Sequence, residues 1–128
     1  MFLDLHSHSR KLGTFFYGNS LRDSKMSTRK FPMLVSMKDE RFSYTSCRFS
    51  PCNNSSARHV LFESFKIPLI YTVESSLFGY QKNDHKIVEY LPKDYREMGK
   101  TLIDSFYEMN KSKMKLAMEL NVSSVLEN

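Results

Sequence analysis

The run Phe2-Leu3-Asp4-Leu5 followed by His6-Ser7-His8-Ser9 constrains this chain more than any other stretch. Its apolar residues suit a buried strand, and it stops abruptly in two imidazoles and two hydroxyls. Such a run reads as a core strand delivering side chains to a site at its C-terminal edge. Neutral imidazole is the commonest metal ligand among side chains, and a strand end holds it more rigidly than a loop could. A surface His-Ser-His turn without metal fits the same residues equally well, so this run alone leaves both readings open.

A second strand has the same design. Leu69-Ile70-Tyr71-Thr72-Val73 is β-branched and aromatic, and it ends in Glu74-Ser75-Ser76. Two core strands ending in ligand or acid–base residues form an active site if they meet at one sheet edge. Metal-assisted hydrolysis needs little more: a metal to acidify water and polarise a carbonyl, and a carboxylate to carry the proton. Periodicity does not establish that the two ends are neighbours. Taken alone, Glu74 also fits a strand-terminal carboxylate bonded to nearby amides.

Between and after these strands the chain alternates helix and strand signals. Phe31–Met37 reads as a short helix with Pro32 in its first turn, where a missing amide costs nothing. Phe42–Phe49 alternates large and small residues like a strand, and Pro51–Ser56 is a turn cluster. Ala57–Phe65 reads as a helix capped by Ser55 or Ser56 and stopped by Pro68. Lys93 to about Lys113 is the longest helix, with Tyr95, Met98, Leu102, Phe106 and Met109 at helical spacing for core packing. The pattern predicts an α/β fold, a mixed sheet flanked by helices. One domain fits 128 residues.

Composition excludes several classes. With 41% hydrophobic residues, 10 Phe and 7 Tyr, the chain is globular rather than disordered. No apolar run approaches the roughly 20 residues that span a bilayer, and the start is not a secretory signal. Cys47 and Cys52 therefore read as free thiols, and the compartment as the cytoplasm. The net charge of +5 is spread along the chain without the basic stripe of a nucleic-acid binder. It suits an acidic peptide partner instead.

Asp4-Leu5-His6-Ser7-His8-Ser9-Arg10, followed by Phe15-Phe16-Tyr17-Gly18, resembles the signature of zinc metallocarboxypeptidases in their cytosolic, tubulin-deglutamylase-like branch. Collinear matches follow at Phe31-Pro32, Cys47-x-Phe49, Ser56-Ala57-Arg58-x-Val60, Tyr71–Ser76 with Phe78-Gly79, and Asp94-Tyr95-x-x-Met98-Gly99. The resemblance spans roughly residues 1–110. It implies that His6 is a zinc ligand and that Glu74 is the general base for a zinc-activated water. It implies also that Arg58 lines the pocket for a C-terminal glutamate. A guanidinium pairs bidentately with a carboxylate and keeps its charge, which agrees with that role. Ser7 and His8 would border the zinc site without a chemical step, and Tyr44 and Tyr80 are unsupported candidates for a residue closing over substrate. The implied partners are acidic C-terminal tails such as those of tubulin, with no nucleic acid and no membrane.

The family carries two further zinc ligands, a His-x-x-Glu pair, and a carboxylate-gripping Asn-Arg pair upstream of the position of His6. None of His6, His8, His59 and His85 is followed at the third place by Glu. A catalytic zinc needs three protein ligands and an open position. The chain thus reads as the C-terminal part of a carboxypeptidase domain over residues 1–113, with a weakly structured helical tail over 114–128, inactive on its own. Two rival readings stand beside it. One is a non-catalytic module binding acidic tails or a partner protein. The other is a His-x-His metal-dependent phosphoesterase, which would normally require later His and Asp ligands.

Overall fold

The computed structural model describes residues 1–21, 27–50 and 56–126, with side chains described to residue 111. Three strands and two helices supply the frame in chain order: β1 (Phe2–His8), β2 (Thr14–Asn19), α1 (Lys30–Lys38), β3 (Arg48–Ser50) and α2 (Ala57–Phe65). Then come β4 (Ile70–Ser76), a small hairpin of β5 (Gly79–Gln81) and β6 (Ile87–Glu89), and α3 (Pro92–Leu126). The main sheet has the order β1-β4-β2-β3. β4 runs parallel to β1 and antiparallel to β2, while β2 and β3 are parallel, so the sheet is mixed as the pattern predicts.

β4 holds the sheet's interior because its β-branched and aromatic residues fit a pleated surface covered on both sides. Side chains alternate between faces, so the register Phe16 opposite Val73 puts those two on one face with Tyr71. Against that face pack Phe31 and Val35 of α1 and Met98 and Leu102 of α3, all buried. Phe16 lies at the centre, its ring 4.7 Å from Phe42, 5.1 Å from Tyr71 and 5.8 Å from Phe31. The buried, unbridged Cys47 accepts the Phe16 N–H on its sulfur at 3.2 Å. Cys52, Ser55 and most of the Pro51–Ser56 turn lie outside the described residues.

Local chemistry accounts for the helix ends. Ser56 caps α2, its hydroxyl accepting the His59 N–H at 3.4 Å. At the other end Lys66 takes a left-handed conformation at φ 51°, a turn out of the helix that Pro68 makes final. Pro92 opens α3, and Asp94 in its first turn accepts the Leu91 N–H at 2.9 Å. The backbone of α3 continues past Lys113 to Leu126.

Two expectations change. The opening run is a strand but not a buried one: β1 is the sheet's edge, with Leu5 71% exposed. An apolar run reports strand character, and only the competition among strands for the centre decides which is covered; β4, longer in β-branched residues, wins it. Phe42–Phe49 is likewise not one strand. Phe42 makes a single bridge to Thr14, Tyr44–Ser46 form a 3₁₀ turn, and only Arg48–Ser50 join the sheet. The Ser43 hydroxyl bonds Ser46 at 2.8 Å, local bonding of the kind that competes with extended structure.

Candidate active site

The candidate site lies where β1 and β4 end, on the face opposite the helical core. Their parallel register sets His6 beside Glu74 and His8 beside Ser76. Alternation then puts Asp4, His6 and His8 of β1 on the same face as Thr72 and Glu74 of β4. Across the other ladder Phe15 stands opposite Glu74 and joins this face. His6 and Glu74, from distant parts of the sequence, thus hold paired positions on two adjacent strands.

Each group has a defined surrounding. Glu74 is mostly buried, and its Oε2 lies 3.8 Å from Nδ1 of His8. The His8 ring meets Phe15 edge-on at 5.1 Å, and the Lys11 ammonium sits 4.8 Å above the same phenyl ring. His6 points toward solvent, with Nε2 2.9 Å from Oδ2 of Asp4. That hydrogen bond is the main cause raising the His6 pKa above 6.5; desolvation opposes it, and the charges of Asp4 and Glu74 add to it.

The loop after β1 fixes these ends. Gly13 adopts φ 77°, where a side chain is strained, and an added Cβ would lie 2.9 Å from the Arg41 carbonyl oxygen. Its amide donates to Gly79 O at 2.8 Å and its carbonyl accepts Ser76 N–H at 3.0 Å. The hydroxyls of Thr14 and Ser75 lie 3.1 Å apart, and Leu77 N–H donates to His8 O at 3.0 Å.

Arg58 is set apart from this group. It stands in the first turn of α2, and its Nη1 donates to the Gly18 carbonyl at 2.7 Å. Gly18 pairs with Tyr71, three register positions from the Phe15–Glu74 pair, so this anchor lies toward the other end of β2. Tyr44 and Tyr80 line an open polar cleft of about 570 Å³ together with Lys11, Ser43, Thr45 and Asn83. The sequence reading passes over Asp4, Phe15 and Lys11 as members of this site. For Asp4 the signal is present: two residues separated by one in a strand share a face.

Among the described residues no three His, Cys, Asp or Glu side chains group closely enough to hold a metal ion. The donors present among the described residues fall short of the three ligands a catalytic zinc needs. No family model matches the chain. Individual proteins do. Cytosolic carboxypeptidase 2 of Danio rerio is 31% identical over 129 residues, 93% of this chain. Cytosolic carboxypeptidase 2 of Macaca fascicularis is 30% identical over 113 residues, 84% of the chain. By sequence, the chain is a relative of the cytosolic carboxypeptidases. Cytosolic carboxypeptidase 1 of Danio rerio agrees, at 30% identity over 116 residues and 77% of the chain. The chain spans only 18%, 13% and 10% of the lengths of these three carboxypeptidases. None of the described helices is long and apolar enough to cross a membrane.

Proposed function

We propose that this chain supplies part of the active site of a zinc carboxypeptidase acting in the cytoplasm on acidic protein tails. The observation that supports this reading is the register of β1 and β4, in which residue His6 pairs with residue Glu74. The relatives' names support the reaction class.

In this reading His6 is one ligand to zinc, and the remaining ligands come from outside the described residues. Zinc when bound supplies Lewis-acid polarisation of the scissile carbonyl and lowers the pKa of water. Glu74 is the general base: its carboxylate takes a proton from the attacking water and returns it to the leaving amine. Its mostly buried position beside His8 keeps it in one place while it does so. The substrate is a C-terminal glutamate on an acidic tail such as tubulin's, attracted by the net charge of +5 and recognised by Arg58. The chain alone is inactive.

A second reading, a module that binds acidic tails without cutting them, is favoured by the absence of a three-ligand group among the described residues. Both are tested on the natural polypeptide that contains this chain. Release of glutamate from a synthetic peptide ending in glutamates is followed by mass spectrometry. Glu74→Gln should lower turnover by about 10²- to 10⁴-fold, the usual worth of a general base, with zinc content unchanged. Turnover unaffected by the substitution removes Glu74 from the chemistry. Tail binding without any glutamate release by the natural protein selects the second reading.

A further inference from the structure

We infer that the cleft between the 11–13 loop, the 43–46 turn and the β5–β6 hairpin binds the extended acidic stretch of a protein tail that precedes the residue removed. Lys11 meets a carboxylate of that stretch, and neutral hydroxyls and amides take its backbone. The inference rests on the reading of a carboxypeptidase acting on acidic tails and deepens it.

The cleft opens beside the strand ends that carry the candidate site. Gly13 lines it, and the Gly13 carbonyl accepts the N–H of Ser76, two residues past Glu74. Lys11 lines it too, with its ammonium 4.8 Å from the centre of the Phe15 ring that His8 meets edge-on. Phe15 stands opposite Glu74 across the β2–β4 ladder. A chain lying in the cleft therefore leads toward the strand-end carboxylate.

The lining states what kind of chain fits. At about 570 Å³ the cleft has the size of a ligand site, roughly 300–1,000 Å³, but its walls are polar where small-molecule sites are mostly apolar. Ser43, Thr45 and Ser46 bring hydroxyls and Gln81 and Asn83 bring amides, groups that both donate and accept as a peptide backbone requires. Tyr80 lies buried against Tyr90, ring centres 5.3 Å apart, rather than as an open platform on which a nucleobase could stack. Of the two cations, Arg41 is committed to Asp39 and Asp94. Lys11 meets no carboxylate among the described residues and rests over the Phe15 and Tyr17 rings instead. Its charge selects a ligand that brings a carboxylate. Glu40 also lines the cleft, so acidic residues spaced by neutral ones suit it better than an unbroken acidic run.

The probe is a synthetic peptide alternating glutamate and glycine, acetylated at one end and amidated at the other, so that it offers the strand-end site no terminal carboxylate. Added to the ¹⁵N-labelled chain, it should shift the amides of Gly13, Thr45 and Gln81 and leave that of Arg58 unmoved. Lys11→Met should weaken binding about two- to fivefold, the worth of one exposed charge pair. Thr45 is exposed, and Thr45→Trp, which puts an indole into the cleft, should abolish binding. The backbone spectrum checks that each variant keeps the fold. Equal affinity for a peptide alternating glutamine and glycine overturns the inference, and so does unchanged binding by Thr45→Trp. Shifts spread over the whole surface and lost together in high salt overturn it as well, since they report only the net positive charge. Failure of the carboxypeptidase reading shows separately, as a free-ended peptide from which the natural polypeptide releases no glutamate while the capped peptide still shifts the cleft.

Discussion

Asp39→Ala is the substitution whose consequence the structure specifies most fully. Asp39 follows α1, and its carboxylate is almost completely buried, with a side-chain exposure of 3%. It accepts the Arg41 amide at 3.0 Å, Arg41 Nε at 2.8 Å and Nη2 at 2.9 Å, and the Thr101 hydroxyl of α3 at 3.0 Å. Arg41 reaches Asp94 as well, at 3.2 Å, and its carbonyl accepts Thr14 N–H at 2.8 Å. One carboxylate therefore joins the end of α1 to α3 and, through Arg41, to the start of β2 beside the candidate site. Removing it strands a guanidinium that is 17% exposed. Breaking one side of a buried ion pair costs about 3–5 kcal/mol. Asp94 remains as a partner for Arg41, so the low end, about 3 kcal/mol, is expected. With a urea slope of about 1.5 kcal/mol per molar, the midpoint should fall by about 2 M. The double variant Asp39→Ala/Arg41→Met, which removes the stranded charge, should recover a good part of the loss. Urea unfolding followed by circular dichroism reads both. A loss under about 1 kcal/mol for Asp39→Ala, the range of exposed pairs, would refute the claim that burial gives this pair its weight.

Acid should weaken the same corner of the fold. The Leu91 N–H, and after it the Arg41 guanidinium, hold the Asp94 carboxyl below its ordinary 3.8 against an opposing desolvation effect. Its folded value is depressed, so its contribution is present above 3.8 and lost as pH falls through the folded value. Asp94→Asn should therefore flatten the dependence of the urea midpoint on pH below about 5, and an unchanged slope counts against it. In the hairpin, Gly79→Ala would drive Cβ into the Val88 carbonyl oxygen, a backbone atom that cannot swing aside. A loss of about 2 kcal/mol in thermal unfolding is expected, and a variant of unaltered stability would show that β5 and β6 separate at little cost.

What was legible in the sequence follows from what is local. Ile70–Val73 announces β4 by residue type, and the spacing of Met98 and Leu102 marks the buried stripe of α3, because both signals are complete within one element. Ser56 and Pro68 bound α2 for equally local reasons. Edge against centre is not local. Nothing within Phe2–Leu5 states that β4 will take the covered position, and so β1 reads as core when it is rim. The alternation in Phe42–Phe49 misleads because Ser43 and Ser46 bond each other and turn the chain, which no period of two records. At the site, the residue types at the strand ends were visible, whereas their adjacency depends on a pairing between distant segments. Asp4 shows the reverse case, a contact fully determined by spacing once the strand is granted.

Those placements have unequal consequences for the two residues that matter most. Glu74 belongs to the strand with partners on both sides, β1 and β2, and its side chain is held between His8 and the Phe15 face. In the role proposed for it as general base, Glu74 is oriented before substrate arrives, which is when orientation lowers a barrier. His6 belongs to the rim, where β1 has one partner strand among the described residues and half of the imidazole meets water. Edge strands open more readily than central ones. The chain answers at three points. Phe2 N–H donates to Leu69 O at 2.9 Å and Leu77 N–H to His8 O at 3.0 Å, pinning β1 at both ends beyond its ladder. Asp4 supplies the third, acting on the side chain where the other two act on the backbone. A side chain carried by an edge strand needs such a brace, whereas one in the sheet's centre is braced by its position.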